Sequence, residues 1–206
     1  MPKFIIMGCG GTGRTAGGVL DSRKMDYAYL DDAKKGKIVN GKKVLGGTKD
    51  FMKYRHAKFL VGFGTTFMKE RAKTFNMLKA KKIKIFNAIH KSAAIDKSAR
   101  AGEGNIIAAN CVMNPNSSLG DNNVICAAST IDHDVVIGNH CYISPGVNIA
   151  GAAVIGDGAF IGTNATILPT VKIGSNSIVG AGSVVLKSIP KNVTVVGVPA
   201  RIIKRK

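Results

Sequence analysis

The 206-residue sequence contains no tryptophan, and aromatic residues make up only 6% of it. Its four cysteines, Cys9, Cys111, Cys126 and Cys141, show no C-x-x-C spacing, which argues against a zinc site or a disulfide framework and favours reduced thiols. No apolar run reaches the ~20 residues that span a bilayer, so the sequence predicts no membrane segment. The start, MPKFIIMGCGG, also lacks the pattern of a secretory signal. We therefore expect a cytoplasmic protein.

Acidic residues are scarce, with 12 Asp and Glu against 30 Lys and Arg, which gives a net charge of +18. The excess is uneven: residues 1–94 carry 21 basic and 6 acidic residues, and residues 95–206 carry 9 and 6. This difference favours two domains, at 1–92 and 93–206. A basic first half attracts anions such as nucleotide phosphates, nucleic acid or an acidic surface. The alternative is a solvated lysine-rich surface without a specific partner.

Short apolar runs alternate with helical patterns in the first half. KFIIMG (3–8), YAYLDD (27–32) and AKFLVGFG (57–64) are typical of strands, and IKIFNAIH (83–90) closes the series. A glycine-weakened helix follows the first strand, and residues 65–82 are predicted to form a second helix. The alternation predicts a small α/β domain with a parallel βαβ sheet.

The glycines after the first strand form a G-x-G-x-x-G pattern with Gly8, Gly10 and Gly13, and Asp31 follows Gly8 by 23 residues. Such glycines let the backbone approach a diphosphate at the start of a helix. About 90 residues with four strands make only half of a dinucleotide fold. A mononucleotide-sized ligand therefore fits better than NAD, although an NAD-binding module stays a possible reading.

A six-residue repeat fills the second half without an insertion. The glycines Gly102, Gly120, Gly138, Gly156 and Gly174 add a period of 18, or three hexads. These periods predict a triangular all-β solenoid whose neighbouring coils pair as parallel strands about 4.8 Å apart. The first positions of its sixteen hexads are Ile95, Ala101, Ile107, Met113, Leu119, Ile125, Ile131, Ile137, Ile143, Ile149, Ile155, Ile161, Ile167, Ile173, Val179 and Val185.

The hexads resemble those of the hexapeptide-repeat acyltransferases. FIIMGCGGTG, YLDD, the coil DHDVVIG and the closing VVGVPARII are similar to the branch that contains sialic-acid O-acetyltransferases and nucleotide-amino-sugar N-acetyltransferases. The resemblance covers essentially the whole chain. It implies a left-handed parallel β-helix after the small α/β domain, acetyl-CoA as co-substrate, no metal, and a homotrimer with the donor groove between neighbouring chains.

His133 lies in the hexad context H-D-x-x-I-G, where the resemblance places the catalytic base. Histidine suits proton transfer because its unperturbed pKa of about 6.5 is near neutrality. A neighbouring carboxylate can fix the tautomer, and we expect Asp134 to do so, with Asp132 as the alternative. The family often has a second histidine on the acetyl carbonyl, at the position of Tyr142, whose hydroxyl could donate the same hydrogen bond. His140 is expected to be an ordinary turn residue.

The remaining site residues are implied by the resemblance. The nucleotide would be held by Gly10, Gly11, Thr12, Asp31, Asp32 and Gly64. Thr12 replaces the family's histidine in the glycine turn, and Cys126 stands where relatives often orient the amine with an asparagine. Backbone groups near Thr163 and Ala181 would contact the pantetheine arm of coenzyme A, and Arg201 and Lys204 its phosphates.

The function expected from these features is acetyl-CoA-dependent N-acetylation of a nucleotide-linked 4-amino-deoxy sugar, with the first half gripping the nucleotide and His133 as base. O-acetylation of a sialic acid or a related sugar is the nearest alternative, because Thr12 and Cys126 depart from the N-acetyltransferase pattern. A non-enzymatic nucleic-acid binder is disfavoured, since the aromatic residues of the first half do not interleave with basic ones.

Overall fold

The computed structural model describes residues 2–205, which form two compact units. The first unit runs to Lys91 and includes Glu103–Ile106, and the second comprises Ser92–Gly102 and the chain from Ile107 onward. Within the described residues, no helix is long and apolar enough to cross a membrane. Lys206, the last residue of the basic tail noted in the sequence, lies outside the described residues.

The first unit is a small sheet with two helices. Its elements are β1 (Phe4–Met7), α1 (Gly11–Ser22), β2 (Tyr27–Leu30), β3 (Ile38–Val39), β4 (Lys42–Gly46), β5 (Lys58–Val61), α2 (Met68–Ala80) and β6 (Ala88–Ile89). The strand order is β3-β4-β2-β1-β5, and β4, β2, β1 and β5 run parallel. The predicted parallel sheet is thereby confirmed. The helix predicted over 65–82 begins only at Met68, because residues Thr65–Phe67 form a 3₁₀ turn.

The sheet is buried on both faces. Ile5 and Met7 pack in a core with Phe59 and Phe75, while Ile6 between them is equally buried. Strands covered on both sides need nearly continuous apolar sequence, which is why FIIM and FLV lack polar alternation. The β3–β4 hairpin and the 3₁₀ helix Thr48–Tyr54 were not predicted from the sequence. Their lysine-rich, partly exposed residues carry no apolar period.

The second unit is the predicted left-handed parallel β-helix. Its sixteen short strands are β7 (Ala94–Ile95), β8 (Arg100–Ala101), β9 (Ile106–Ile107), β10 (Val112–Met113), β11 (Ser118–Leu119), β12 (Val124–Ile125), β13 (Thr130–Ile131), β14 (Val136–Ile137), β15 (Tyr142–Ile143), β16 (Asn148–Ile149), β17 (Val154–Ile155), β18 (Phe160–Ile161), β19 (Thr166–Ile167), β20 (Lys172–Ile173), β21 (Ile178–Val179) and β22 (Val184–Val185). Every predicted first position of a hexad is the second residue of one of these strands. A hairpin of β23 (Val193–Val196) and β24 (Arg201–Arg205) ends the unit.

The strands stack into three faces of a triangular coil. The first face contains β7, β10, β13, β16, β19 and β22, and the second contains β8, β11, β14, β17 and β20. The third face contains β9, β12, β15, β18, β21, β23 and β24. The stacked aliphatics, such as Ile131, Ile149 and Ile167, are fully buried, and burying each contributes about 1.5–3 kcal/mol.

The corners of the coil share one backbone conformation, a left-handed residue at the fourth position of the hexad. The fourth position of fourteen consecutive hexads, from Gly104 to Gly182, has a positive φ. Asparagine and glycine are common there because they tolerate the left-handed region best. His140 is one of these residues, with φ 59°, so its expected role as a turn residue agrees with its conformation. Its Nδ1 lies 3.0 Å from Nδ2 of Asn122.

Candidate active site

His133 lies in the turn between β13 and β14, at the corner that joins the first and second faces. Its side chain is 58% exposed. Asp134 takes the left-handed fourth position of the hexad, with φ 58°, and its carboxylate Oδ2 lies 2.8 Å from Nδ1 of His133. The β-helix corner therefore presents an imidazole to solvent with a carboxylate on its Nδ1 side.

The electrostatics of this pair favour a basic ring. The hydrogen bond to Asp134, followed by the charge of Asp132, raises the pKa of His133 above its usual value. The hydrogen bond with His133, followed by one with Asn116, lowers the pKa of Asp134. Because Asp134 stays ionised at neutral pH, it accepts the Nδ1 proton. The lone pair of the neutral ring is then at Nε2.

Asp132 has a different set of partners. Its Oδ1 accepts hydrogen bonds from Nδ2 of Asn114 at 2.9 Å and from the backbone N–H of His133 at 2.8 Å. These bonds, the one from Asn114 first, lower the pKa of Asp132. The carboxylate therefore fixes the backbone of the turn to the preceding coil, and its charge acts on the imidazole from a distance. Asp134 is the carboxylate that touches the ring.

Gly151, one coil after His133, borders the free nitrogen of the ring. A Cβ on Gly151 would lie 2.5 Å from Nε2 and 2.6 Å from Cε1 of His133. The imidazole edge therefore rests against a backbone that has no side chain. Sequence reasoning did not single out Gly151. The available signal was its spacing of 18 residues from His133, the length of one coil.

The glycine turn of the first unit is built from close backbone contacts. Gly8 follows β1 and has φ 91°, and a Cβ on Gly13 would collide with the backbone of Gly8. Gly10 caps α1 without a side-chain hydrogen bond, and nothing lies within 4 Å of where a Cβ on Gly10 or Gly11 would be. Gly8 and Gly13 thus serve the fold, whereas Gly10 and Gly11 leave open space beside the first N–H groups of a helix. Such groups attract anions.

The predicted nucleotide residues meet at the carboxyl end of β1 and β2. Asp31 accepts a 2.9 Å hydrogen bond from the N–H of Cys9. Burial raises the pKa of Asp31, but this bond and its neighbours outweigh burial, so the net pKa is lowered. Thr12 Oγ1 lies 3.1 Å from where a Cβ on Gly64 would be. Asp32 instead binds Thr48 through its N–H at 2.9 Å and its hydroxyl at 2.7 Å.

The other predicted residues of the β-helix are spread over its perimeter. Tyr142 lies in β15 on the third face, opposite the corner of His133, and its ring stacks on Phe160 with centroids 5.9 Å apart. Cys126 lies at the corner before β13 and is buried. Within one chain, the three-sided coil therefore separates both residues from His133.

Two of the residues predicted for coenzyme A, Thr163 and Ala181, lie at the corner after the third face. Thr163 and Ala181 are exposed and occupy the same corner in successive coils, where the carbonyl of Thr163 accepts the N–H of Gly182 at 2.8 Å. Arg201 lines an open cavity of about 440 Å³ together with Lys187. Lys204 lies in β24. In residues 2–205 no three His, Cys, Asp or Glu side chains are grouped to hold a metal ion.

A β-helix of hexads with an exposed His–Asp pair at a corner, preceded by a small α/β unit, defines an acetyltransferase of the hexapeptide-repeat class. The family described as "Bacterial transferase hexapeptide (six repeats)" matches residues 116–151 and 152–187. A search of curated protein sequences finds no match. Several solved structures match nearly the entire chain.

Three solved structures illustrate the similarity. A variant of GDP-perosamine N-acetyl transferase from Caulobacter crescentus, in complex with CoA and GDP-perosamine, is 30% identical over 99% of this chain and 98% of its own, with a TM-score of 0.93. The acetyltransferase domain of PglB from Neisseria gonorrhoeae, in complex with acetyl coenzyme A, is 30% identical over 98% and 99%, with a TM-score of 0.93. WeeI from Acinetobacter baumannii is 27% identical over 97% and 99%, with a TM-score of 0.82. This chain belongs to the nucleotide-amino-sugar acetyltransferase branch of the hexapeptide-repeat family.

Proposed function

We propose that the protein transfers the acetyl group of acetyl-CoA to the amino group of a nucleotide-linked 4-amino-deoxy sugar, with His133 as general base. The observation that carries the proposal is the full-length similarity to an N-acetyltransferase crystallised with CoA and GDP-perosamine, in a chain whose β-helix presents the His133–Asp134 pair. We place the reaction in the cytoplasm. The buried thiols of all four cysteines, each within the described residues, support a reducing compartment.

The proposed chemistry is nucleophilic acyl transfer. As the sugar amine attacks the thioester carbonyl, a C–N bond forms, the C–S bond breaks and coenzyme A leaves as a thiol. Nε2 of His133 takes the proton that the amine loses, and Asp134 stabilises the resulting imidazolium through Nδ1. A positioned base of this kind contributes about 10²- to 10⁴-fold to the rate.

The first unit is proposed to hold the nucleotide. The open space at Gly10 and Gly11 admits a diphosphate to the N-terminus of α1. Nζ of Lys34 donates to the carbonyl of Cys9 at 3.3 Å, which places a positive charge beside the same turn. Thr12, Asp31, Asp32 and Gly64 complete the proposed binding residues. The carboxylates of Asp31 and Asp32 already accept hydrogen bonds from backbone N–H groups. We therefore propose that they hold the shape of the pocket as well as contact the ligand.

The proposed acetyl-CoA site lies on the β-helix. Thr163 and Ala181 lie above one another at an exposed corner of successive coils, where their backbone groups can contact the pantetheine arm. Positive charges for the phosphates come from Arg201, Lys187 and Lys204. Tyr142 is proposed to donate a hydrogen bond to the acetyl carbonyl, and Cys126 to lie near the sugar amine.

We propose a homotrimer in which neighbouring chains share each site. His133 occupies a corner of the coil and Tyr142 lies on the opposite face of the same chain, so one chain cannot bring both to one acetyl group. A second copy, related by a three-fold axis, can place its third face against the corner of the first. Closed cyclic symmetry satisfies every such contact.

The base is tested by comparing His133→Ala with His140→Ala as the matched control, since both residues lie at corners of neighbouring hexads. We expect kcat to fall about 10²- to 10⁴-fold in the first variant and to stay near the wild-type value in the second. The assay follows coenzyme A release with a thiol reagent. Near-normal turnover of His133→Ala would remove His133 from the mechanism.

The acceptor is tested with a panel of acceptors. Nucleotide-linked amino sugars, the same nucleotide sugars with a hydroxyl in place of the amine, and free sialic acid are each incubated with acetyl-CoA. We expect transfer to the nucleotide amino sugars alone, with the acetyl group resistant to mild base as an amide. Base-labile acetylation of a sugar hydroxyl would instead establish an O-acetyltransferase.

A further inference from the structure

Basic residues are concentrated at one edge of the first unit. Lys3 precedes β1, Lys58 begins β5, and Lys84 lies beside Lys58 because the carbonyl of Lys84 accepts the N–H of Phe59 at 2.8 Å. These positions mark the amino ends of adjacent parallel strands. The connection before β5, which contains Arg55, and the connection after α2, which contains Lys81 and Lys82, end at these amino ends. The resulting basic edge consists of Lys3, Arg55, Lys58, Lys81, Lys82 and Lys84, all of them exposed.

The basic edge has no internal counter-charge. Other lysines of the unit pair with acids, as in Lys53 with Asp50 at 2.8 Å and Lys42 with Asp26 at 3.6 Å. Within residues 2–205, no residue of the basic edge forms an ion pair. Asp26 precedes β2 at the same end of the sheet, but its carboxylate is already the partner of Lys42. Like charges held together repel, so an external anion would stabilise this arrangement.

The basic edge is not part of the nucleotide site. The glycine turn follows β1, and Gly62 follows β5, at the carboxyl ends of the strands. The basic edge is at their amino ends, separated from the turn by four-residue strands that are about 13 Å long. The phosphates of a nucleotide at the turn are therefore out of reach of these lysines.

The composition of the edge distinguishes among anionic partners. Single-stranded nucleic acid is held by exposed aromatic rings between basic residues, but the aromatic residues nearby are packed: Phe4 against Phe86, with ring centroids 4.7 Å apart, and Tyr54 against the core. Five of the six basic residues are lysines, which act as point charges rather than as bidentate forks for phosphate or carboxylate. A surface of anionic lipid headgroups attracts nearby Lys and Arg side chains through charge alone and requires no fixed geometry of them.

We propose that the basic edge docks the protein on the surface of a bilayer that contains anionic phospholipids. Attraction of each lysine to such a surface strengthens binding about five-fold, so removing three lysines weakens it about 100-fold. Because the contact is electrostatic, added salt screens it. The glycine turn stays at the far end of the strands, so docking leaves it open to the nucleotide.

The test measures co-sedimentation of the purified full-length protein with vesicles of phosphatidylcholine alone or with 30% phosphatidylserine. The variant Lys3→Gln/Lys58→Gln/Lys84→Gln removes three charges from the basic edge. Its matched control, Lys69→Gln/Lys97→Gln/Lys172→Gln, removes three exposed lysines elsewhere. A third variant, Lys3→Arg/Lys58→Arg/Lys84→Arg, keeps the charge. Thermal unfolding and acetyl transfer in solution are measured for each, to show that the fold and the reaction are intact.

We expect the wild type, the control variant and the arginine variant to bind vesicles with phosphatidylserine at low salt, and to be released by 0.5 M NaCl. The glutamine variant of the basic edge should bind about 100-fold more weakly. Absence of wild-type binding at low salt would overturn the proposal. Equal losses in the two glutamine variants would also overturn it, since the charge would then act diffusely. So would tighter, edge-dependent binding to duplex DNA than to vesicles.

Discussion

At the scale of single residues, the reactivity of the candidate site depends on which nitrogen of His133 is free. Asp134 occupies the Nδ1 side at 2.8 Å, and Gly151 leaves the Nε2 side without a side chain. These two contacts give the ring one nitrogen that is hydrogen-bonded to a carboxylate and one nitrogen that borders a residue without a side chain. The sequence predicted the pairing of His133 with Asp134. It did not predict the surroundings of Nε2, because these depend on Gly151, one coil away.

The first prediction at this scale concerns the pH dependence of Asp134→Asn. The base must be unprotonated to act, so kcat/KM rises with pH through the pKa of His133. Since the hydrogen bond to Asp134 raises that pKa, the acid limb of the wild type lies above the ordinary histidine value. In Asp134→Asn the limb should move to lower pH while the limiting rate falls. Asp96→Asn, which removes an exposed carboxylate from the same hexad position as Asp132, is the control and should leave the limb in place.

The same pKa shift determines how the contribution of His133 to folding stability changes with pH. A folded pKa above the unfolded value means that the protonated ring stabilises the fold below the unfolded pKa, and that this contribution disappears as pH rises through the folded pKa. The ring is exposed, so the contribution is small. The ion pair with Asp134 therefore requires the protonated ring of His133, whereas the proposed base requires the neutral ring.

The second prediction at this scale is that Gly151→Ala reduces turnover without unfolding the protein. A methyl group 2.5 Å from Nε2 displaces the ring, and small misplacements of catalytic groups cost as much as about 10²-fold in rate. We expect kcat to fall by at least tenfold while the thermal midpoint stays within a few degrees. Unchanged kcat would show that the exposed ring moves aside freely, and that Gly151 has no positioning role.

At the scale of the elements, the hexads carry two repeated features: an apolar first position and a left-handed fourth position. The apolar period of six fixed all sixteen strands of the β-helix in register. The left-handed fourth position could also have been found from Asn110, Asn116, Asn164 and Asn176, which recur at that place in their hexads. The β3–β4 hairpin escaped prediction because its pairing with β2 depends on a distant strand rather than on local pattern.

The prediction for the glycine turn compares two glycines of α1. A Cβ on Gly13 would collide with the backbone of Gly8, whereas nothing lies within 4 Å of a Cβ on Gly18. Gly13→Ala should therefore destabilise the protein by about 1–3 kcal/mol and weaken nucleotide binding. Gly18→Ala should stabilise it by about 0.5–1 kcal/mol through helix propensity. Thermal unfolding and nucleotide titration measure both effects, and equal behaviour of the two variants would contradict this account of the turn.

At the scale of the whole molecule, the proposed trimer would divide each proposed site between two chains. The corner of His133 and the face of Tyr142 are on opposite sides of one β-helix. The proposal that both residues act on one acetyl group therefore requires a neighbouring chain. The distribution of charge is also molecular, since the first unit carries nearly all of the positive excess.

The prediction at this scale is complementation between two impaired variants. His133→Ala supplies an intact Tyr142, and Tyr142→Ala supplies an intact His133. If the two residues meet across a three-fold interface, each mixed trimer contains one intact site in three, and a 1:1 mixture regains activity at about a quarter of all its sites. The variants are unfolded together, refolded and assayed, with separately refolded proteins mixed afterwards as the control. A mixture that regains no activity would show that His133 and Tyr142 do not act together across an interface.

The sequence by itself determined the two-part architecture, the register of the β-helix and the identity of the His133–Asp134 pair, because each depends on short-range pattern: a period of six, a glycine turn, adjacent residues. Only the tertiary structure decided that Gly151 borders Nε2, that Asp31 and Asp32 bind backbone N–H groups, and that six basic residues share one edge. These relations join residues that are distant in the chain. They arise when coils stack and parallel strands align their ends, which no local pattern encodes.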